Sequence, residues 1–385
     1  MRAATTLLIT PFCPLHCRYC NLDTEMAEAI ERGNHGLTYE EMDEKTSIFL
    51  KENPNAEYYT MTITGGEPFV RWPDIKKLIT KYGDKITFDF NTSGYLLTEE
   101  IIEWLSHYKV TWNLSVDGGE KVTNYLRPLR NPDSTNKTYF QKLKEIVPVL
   151  TYYFPNVYCK IIISKRLIPD LYQSYLELEQ IGFRKMFLIL DLQEREDEKH
   201  EGTWTDKDFV LLQSQLNKIA DKIAIGMKHG VYRLRVAQID EIVYSLLNPT
   251  PVSPYNLACG ILDVRNIFTM FDDKEQTPFG TCYEGLKLTK EQFQGILEAK
   301  LIESDGKCAN DKDCPFFGHC GVRTCTRDNL SIRGNPWAPE MAFCMLMKVC
   351  GYAALNLLNR CNNECPDSRE YQTYLSHDIG IKGES

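Results

Sequence analysis

The segment Ala4-Thr-Thr-Leu-Leu-Ile-Thr10-Pro-Phe-Cys13-Pro-Leu-His-Cys17-Arg-Tyr-Cys20 decides how the rest of the chain is read. A short run of Thr, Leu and Ile is a strand signature, and the proline after it ends the run. Three cysteines then fall just beyond the strand's carboxyl end. The arrangement recurs: Gly65-Gly66-Glu67-Pro68 follows a strand candidate at 57–64, and Asn91-Thr92-Ser93-Gly94 follows one at 85–91. Ser115-Val116-Asp117-Gly118 closes a fourth at 109–115, and candidates at 157–164 and 185–191 complete six. Helical patterns lie between them, near 73–83, 98–107, 137–151 and 170–181. Another opens at Thr38, with Glu41 placed for a capping box and Leu37 and Met42 for a hydrophobic staple. Six βα units in series predict an α/β fold with a parallel sheet and right-handed crossovers. Periodicity alone leaves open an open barrel or a doubly wound sheet. Clusters of Cys, Gly and polar residues at four successive carboxyl ends mark a site on that rim.

The chain has 385 residues, enough for two or three domains, and its 43% hydrophobic and 25% charged content excludes a largely disordered protein. Acidic residues outnumber basic ones, 53 to 44, which disfavours a broad phosphate-binding face, and no stacked-aromatic basic run appears. No run of eighteen apolar residues predicts a membrane span, and the N-terminal segment lacks a signal-peptide cleavage site. The expectation is a cytoplasmic protein. Fourteen cysteines in such a compartment need something to hold their thiolates. Three stand at Cys13, Cys17 and Cys20, Cys159 lies in an apolar run and reads as core, and ten begin at Cys259. Thiolates at the first spacing can hold three irons of a [4Fe–4S] cube and leave the fourth to an exogenous ligand. A zinc site borrowing a ligand such as His16 also fits.

Cys13-Pro-Leu-His-Cys17-Arg-Tyr19-Cys20 after the first strand, with Gly65-Gly66-Glu67-Pro68 after the second, resembles the radical S-adenosylmethionine (SAM) superfamily. The resemblance implies a partial (β/α)6 TIM-like barrel, with a helical extension completing residues 1–247. It also implies a cluster on Cys13, Cys17 and Cys20 that binds SAM and cleaves it to a 5′-deoxyadenosyl radical. By the same pattern Tyr19 and Leu188 would lie near the adenine. Gly65 and Gly66 would let the backbone approach the methionyl end, and Glu67 would accept hydrogen bonds from the SAM ammonium. Ser115 and Arg127 would hold SAM, arginine being suited to its carboxylate. The plain readings are that Glu67 caps a helix and Arg127 is a solvated charge.

An acid-rich stretch at 192–201 reads as a solvated loop, helical patterns follow at 206–227 and 238–247, and a proline-rich linker is expected at 248–258. Beyond it, Cys259 and Cys282 bracket a hairpin-like segment with a turn near Phe271. Cys308-x5-Cys314-x5-Cys320-x4-Cys325 and Cys344 follow. This set resembles the SPASM extension of radical SAM enzymes, here 259–350, which carries two auxiliary [4Fe–4S] clusters and brings the total to three. Its interleaving assigns Cys259, Cys282 and Cys325 to one cluster, and Cys308, Cys314, Cys320 and Cys344 to the other. Several spacings are wider than the usual pattern, and a zinc ribbon is the alternative. Cys350, Cys361 and Cys365 read as unligated thiols. The remainder, 351–385, reads as a helix end and a tail poorly ordered beyond Pro366.

The resemblance implies a maturase that crosslinks or dehydrogenates a residue of a ribosomally made peptide. Its partners would be a peptide or small protein substrate and an external one-electron reductant of flavodoxin or ferredoxin type. Only twelve residues precede Cys13, so leader recognition is expected from the barrel, the C-terminal domain or a separate leader-binding protein. The enzyme alternative is an anaerobic sulfatase maturase making formylglycine from Ser or Cys. In those enzymes an acidic base directly follows the second C-terminal cysteine, where this chain has Tyr283 and then Glu284. The non-enzyme alternative is a zinc-binding scaffold. The catalytic base is not assigned by the sequence.

Overall fold

The computed structural model describes residues 2–20, 27–28, 30–33, 35–132, 137–191, 203–248, 264–269, 289–303, 311, 313–320, 330, 334–335, 338 and 340–376. The six expected strands are present, with ends within two residues of the expectation. They are β1 (Arg2–Leu8), β2 (Tyr58–Thr64), β3 (Ile86–Thr92), β4 (Val110–Ser115), β5 (Tyr158–Ile163) and β6 (Lys185–Leu190). The helices that follow them are α1 (Tyr39–Glu52), α2 (Trp72–Tyr82), α3 (Glu99–Leu105), α4 (Glu120–Leu126), α5 (Tyr139–Tyr153) and α6 (Leu171–Gln180). The capping box at Thr38 and Glu41 forms as expected, and Leu37 and Met42 are buried.

The described residues gather into two compact units, the first built from residues 2–161, 176–185 and β8 (Val264–Thr269). Its strand order is β8-β1-β2-β3-β4-β5, and every pair in it is parallel. The strand ladder is open. β8 adds a pairing that the hairpin-like reading did not anticipate: 264–269 pairs in parallel with β1, Leu7 opposite Phe268. Such a partner arrives by a long crossover, which local turn signals cannot reveal. The rest of the expected hairpin, including Cys259, Phe271 and Cys282, lies outside the described residues.

Strand alternation explains why this sheet carries a site. One face presents Leu7, Met61, Ile63, Phe88, Phe90, Trp112, Leu114, Cys159 and Ile161, all buried, as expected of a sheet covered by helices. The opposite face presents Thr62, Asp89, Asn91, Thr111, Asn113, Ser115 and Lys160, none of them fully buried. The register puts Thr62 beside Asp89, Asp89 beside Thr111, and Ser115 beside Lys160. One face is therefore packing and the other is chemistry.

The second unit holds residues 162–175, 186–248 and the C-terminal helices. It contains β7 (Arg235–Val236), α7 (Asp206–Lys228), α8 (Ala237–Leu247), α9 (Lys290–Glu303), α10 (Met341–Glu364) and α11 (Arg369–Leu375). Among the described residues α10 is long and apolar enough to cross a membrane by composition. Its Leu346, Met347, Cys350, Ala353, Ala354 and Leu357 are buried, and the helix packs on α7 and α8. The expectation of poor order after Pro366 does not hold for 368–376, and residues 377–385 lie outside the described residues. Ser368 caps α11 by accepting from the Tyr371 amide at 3.1 Å, and Tyr371 and Tyr374 are buried. Two aromatics on one helical face supply the apolar anchor that a polar composition concealed.

Candidate functional site

The cysteine loop leaves β1 and is stitched by its backbone to the segment after α4. The His16 amide donates to the Pro128 carbonyl at 2.8 Å, Arg18 to Leu126 at 2.9 Å, and Arg130 returns to Pro14 at 2.8 Å. Leu15 and Leu129 form an antiparallel bridge, and the Arg18 guanidinium lies 4.4 Å from the Tyr125 ring centre. Arg127 is thereby carried beside the cysteines, its Nη1 3.6 Å from Cys17 Sγ.

The glycines of the second cluster are explained by the same loop. The Gly66 amide donates to the Thr10 carbonyl at 2.7 Å, and the Glu67 amide to Phe12 at 2.8 Å. A Cβ on Gly66 would stand 2.3 Å from the Phe12 carbonyl oxygen, and one on Gly65 2.7 Å from that of Thr10. Gly65 also has φ +134°, a region that side chains disfavour. What the two glycines admit in this structure is the backbone leaving β1.

Glu67 is 1% exposed and caps the 3-10 turn Pro68–Arg71, which is the plain reading of that residue. One carboxylate oxygen accepts from Thr92 Oγ1 at 2.5 Å and from the Phe69 amide at 3.3 Å. The other accepts from the Ser93 amide at 2.9 Å and from the Ser93 hydroxyl. Four donors fill the four lone-pair sites of a carboxylate. Burial raises its pKa against the lowering effect of these bonds.

At the end of β4 stands Asp117, fully buried and with φ +84°, an uncommon conformation for a residue with a side chain. It accepts from Arg127 Nε at 2.7 Å and Nη2 at 3.0 Å, and from the Tyr19 hydroxyl. Arg127 is itself buried, so the solvated-charge reading of it does not hold. Ser115 is held through its backbone: the Tyr139 hydroxyl bridges the carbonyls of Ser93, at 2.7 Å, and Ser115, tying β3 to β4. Asp117 and Tyr139 were missed by sequence reasoning. The signal for Asp117 was its place in Ser115-Val-Asp-Gly118; Tyr139 left none.

Below this layer lies a polar tier. Asp89 accepts from Thr111 at 2.8 Å, Asn113 at 2.9 Å and Thr62 at 3.2 Å, and burial raises its pKa against these bonds. Lys160 Nζ donates to Asn91 Oδ1 at 3.4 Å; burial lowers its pKa, opposed by Asp89.

Cys13, Cys17 and Cys20 are each half-buried. Burial pushes the Cys13 thiol up to about 12, opposed by the Leu15 amide, and the Cys17 thiol up to about 11, opposed by Arg127. Thiolates in such surroundings need a strong cation, as iron supplies. Among the described residues no three His, Cys, Asp or Glu side chains already converge on a metal position. His16 is exposed.

In the second unit, Leu188 on β6 is buried, and its amide and carbonyl both pair with the Gln238 side chain, at 3.3 and 2.6 Å. Cys314 and Cys320 are half-buried in the segment 313–320, and Cys344 is buried on α10. Phe316 of that segment packs against Gly351 of α10, and Lys348 lies within electrostatic reach of both Cys314 and Cys344. Cys361 Sγ is 3.5 Å from Met227 Sδ. Cys259, Cys282, Cys308 and Cys325 lie outside the described residues.

Comparison with known proteins gives this geometry its class. Residues 7–157 match the Radical SAM superfamily, and this part of the chain is a radical SAM domain. The chain is 25% identical to the radical SAM cyclopropyl synthase TigE of Paramaledivibacter caminithermalis over 82% of its own length; it spans 66% of that relative. Among solved structures it resembles native anSMEcpe with bound AdoMet and Cp18Cys peptide, at a TM-score of 0.64 and 18% identity, covering 94% of this chain and 99% of the other. It also resembles Streptococcus suis SuiB bound to precursor peptide SuiA, at a TM-score of 0.54 and 14% identity, covering 89% and 76%. The two structures support the fold. The superfamily implies a [4Fe–4S] cluster and SAM, and three half-buried thiols on a pinned loop, next to a buried guanidinium, fit that pair.

Proposed function

We propose that this protein is a radical SAM peptide maturase that oxidatively modifies, by crosslinking or dehydrogenation, a residue of a ribosomally made peptide. The observation that carries the reading is the pinned cysteine loop, with Arg127 and Asp117 beside it, at the carboxyl ends of a parallel sheet whose other face is polar. When bound, the reduced cluster and SAM supply a 5′-deoxyadenosyl radical that removes a hydrogen atom from the substrate.

The chain's own residues prepare for that event. Cys13, Cys17 and Cys20 hold the cluster. Arg127 sets positive charge beside Cys17 and near the place of the SAM carboxylate, while Asp117 fixes the guanidinium and, through the Tyr19 hydroxyl, the ring assigned to the adenine. Glu67 is assigned to the scaffold rather than to the SAM ammonium, because its lone pairs are taken. Gly65 and Gly66 hold the β1 exit close, and Ser115 contributes its strand end. The contact of Leu188 with the adenine rests on the family pattern alone. Two auxiliary clusters are proposed on Cys259, Cys282 and Cys325 and on Cys308, Cys314, Cys320 and Cys344. The docking of 313–320 on the helix that bears Cys344 supports the second set.

The relative's name, a cyclopropyl synthase, favours an oxidative ring or bond formation over hydroxylation. The test is anaerobic reconstitution with iron, sulfide, SAM and a strong reductant, followed by incubation with candidate precursor peptides. The expected outcome is 5′-deoxyadenosine together with a peptide lighter by two hydrogens. A sulfatase-derived Ser/Cys peptide converted to formylglycine would replace this reading with the sulfatase maturase, and intact SAM under reduction would remove both.

A further inference from the structure

One ion pair in the second unit joins the two elements that carry the described cysteines of an auxiliary site. On α10, Cys344, Lys348, Gly351 and Tyr352 fall at i, i+4, i+7 and i+8, which is one face of a helix. The segment around Cys314 and Cys320 lies against that face. Its Phe316 is 1% exposed and meets the Tyr352 ring edge-on, with 5.1 Å between centres. A Cβ on Gly351 would stand 2.6 Å from the Phe316 ring, so glycine is what lets the segment seat this closely.

Lys348 closes the same contact with charge. Its Nζ donates to Asp311 Oδ2 at 2.6 Å. Asp311 in turn shapes the turn that presents Cys314: its carbonyl accepts from the Cys314 amide at 3.2 Å, and its Oδ1 from the Asp313 amide at 3.1 Å. At the far end of the segment the Cys320 amide donates to the Phe316 carbonyl at 2.9 Å. Lys348 therefore stands one helical turn from Cys344 and one short turn from Cys314, within electrostatic reach of both. Its bond to Asp311 raises its pKa and keeps it charged. Among the described residues of 311–320 and 340–352 it is the only lysine or arginine, against Asp311, Asp313 and Glu340. Half-buried Cys314 and Cys320 and buried Cys344, drawn together by this packing, suit an iron–sulfur group.

We infer that Lys348 raises the reduction potential of the cluster assigned to Cys308, Cys314, Cys320 and Cys344, and that Asp311 positions the ammonium and offsets part of its charge. The inference rests on that auxiliary-cluster assignment and names the residue that tunes it. A cluster held by thiolates gains a further negative charge on reduction, so a fixed cation favours the reduced form and a fixed anion opposes it. The consequence for the proposed oxidation is an easier exit for the electron left over when the peptide has given up one hydrogen atom and one proton.

The full chain, reconstituted anaerobically with iron and sulfide, is titrated with dithionite and followed by electron paramagnetic resonance. Low ionic strength is used because the pair is partly exposed and salt would screen it. The cluster whose signal changes when SAM is added is set aside. Of the other two, one is expected to become at least tenfold harder to reduce in K348M, a fall of about 59 mV for one electron. It should return toward the wild-type value in K348R and become easier to reduce in D311N. Shifts of opposite sign are the mark of charge, whereas loosening of the segment by loss of the ion pair would move K348M and D311N the same way. No midpoint moved in K348M, or shifts of one sign in both variants, overturns the inference. The iron content decides the auxiliary clusters separately: about twelve atoms in the wild-type chain keeps them, and about four removes them and the inference together.

Discussion

Arg127→Met is the perturbation that reports most directly on the core of the site. The side chain is 8% exposed and its partner Asp117 is 0% exposed, with contacts of 2.7 and 3.0 Å. Unit charges roughly 4 Å apart attract by ~4 kcal/mol at an effective dielectric of 20, and deleting one member of a buried pair typically costs ~3–5 kcal/mol because the other stays charged and dry. In R127M only the Tyr19 hydroxyl would still face Asp117 among the contacts described above. A loss of ~3–5 kcal/mol is therefore expected for R127M. D117N/R127M removes both charges and should recover ~2 kcal/mol of that loss, a coupling of the size found for residues in contact. The assay is anaerobic urea unfolding of the full chain, read as a change in midpoint at constant slope. The same variants are assayed for bound iron, which should fall in R127M because the guanidinium next to Cys17 is gone. A loss under ~1 kcal/mol in R127M would class the pair with surface ion pairs. That result, or a double variant no better than the sum of the singles, would refute the argument.

Three further outcomes are expected. Replacing Cys13, Cys17 and Cys20 together by Ala should lower the iron content of reconstituted protein by about four atoms and abolish reductive SAM cleavage, since one four-iron cluster is lost; unchanged iron would end the cluster assignment. Gly66→Ala sets a Cβ 2.3 Å from the Phe12 carbonyl oxygen, backbone against backbone, so the β1 exit must move. Thermal unfolding should show a loss of ~1–3 kcal/mol, the usual cost of overpacking. Glu67→Gln should remove one titration from the stability curve. Because burial raises the folded-state pKa of Glu67 above 4.5, its folded form keeps a proton that the unfolded chain has released. The stability of wild type relative to E67Q should then fall as pH rises from about 4.5, the ordinary glutamate value, through the raised folded value, and level off above it. A difference rising with pH across that window would contradict the sign.

The first six strands, the capping box at Thr38 and the four strand-end clusters were legible in the chain because they rest on local pattern: alternation, turn residues and short-range side-chain spacing. Cys13, Cys17 and Cys20 were visible as candidate ligands for the same reason, since thiols close together on one loop show in their spacing alone. What answered to long-range backbone contact was not visible. Gly65 and Gly66, read as room for a cosubstrate, also make room for the chain leaving β1, and Glu67, read as a ligand residue, also caps the turn after it and accepts from Thr92 and Ser93. Asp117 drew no assigned role until Arg127 and Tyr19, one ten residues on and the other on the first loop, were seen to converge on it. β8 joined β1 from more than 250 residues away, a partner that no window of sequence contains. Spacing along the chain determined which residues could bind iron. Only the parallel stacking of strand ends, which brings residues a hundred positions apart within hydrogen-bonding distance, decided what surrounds them.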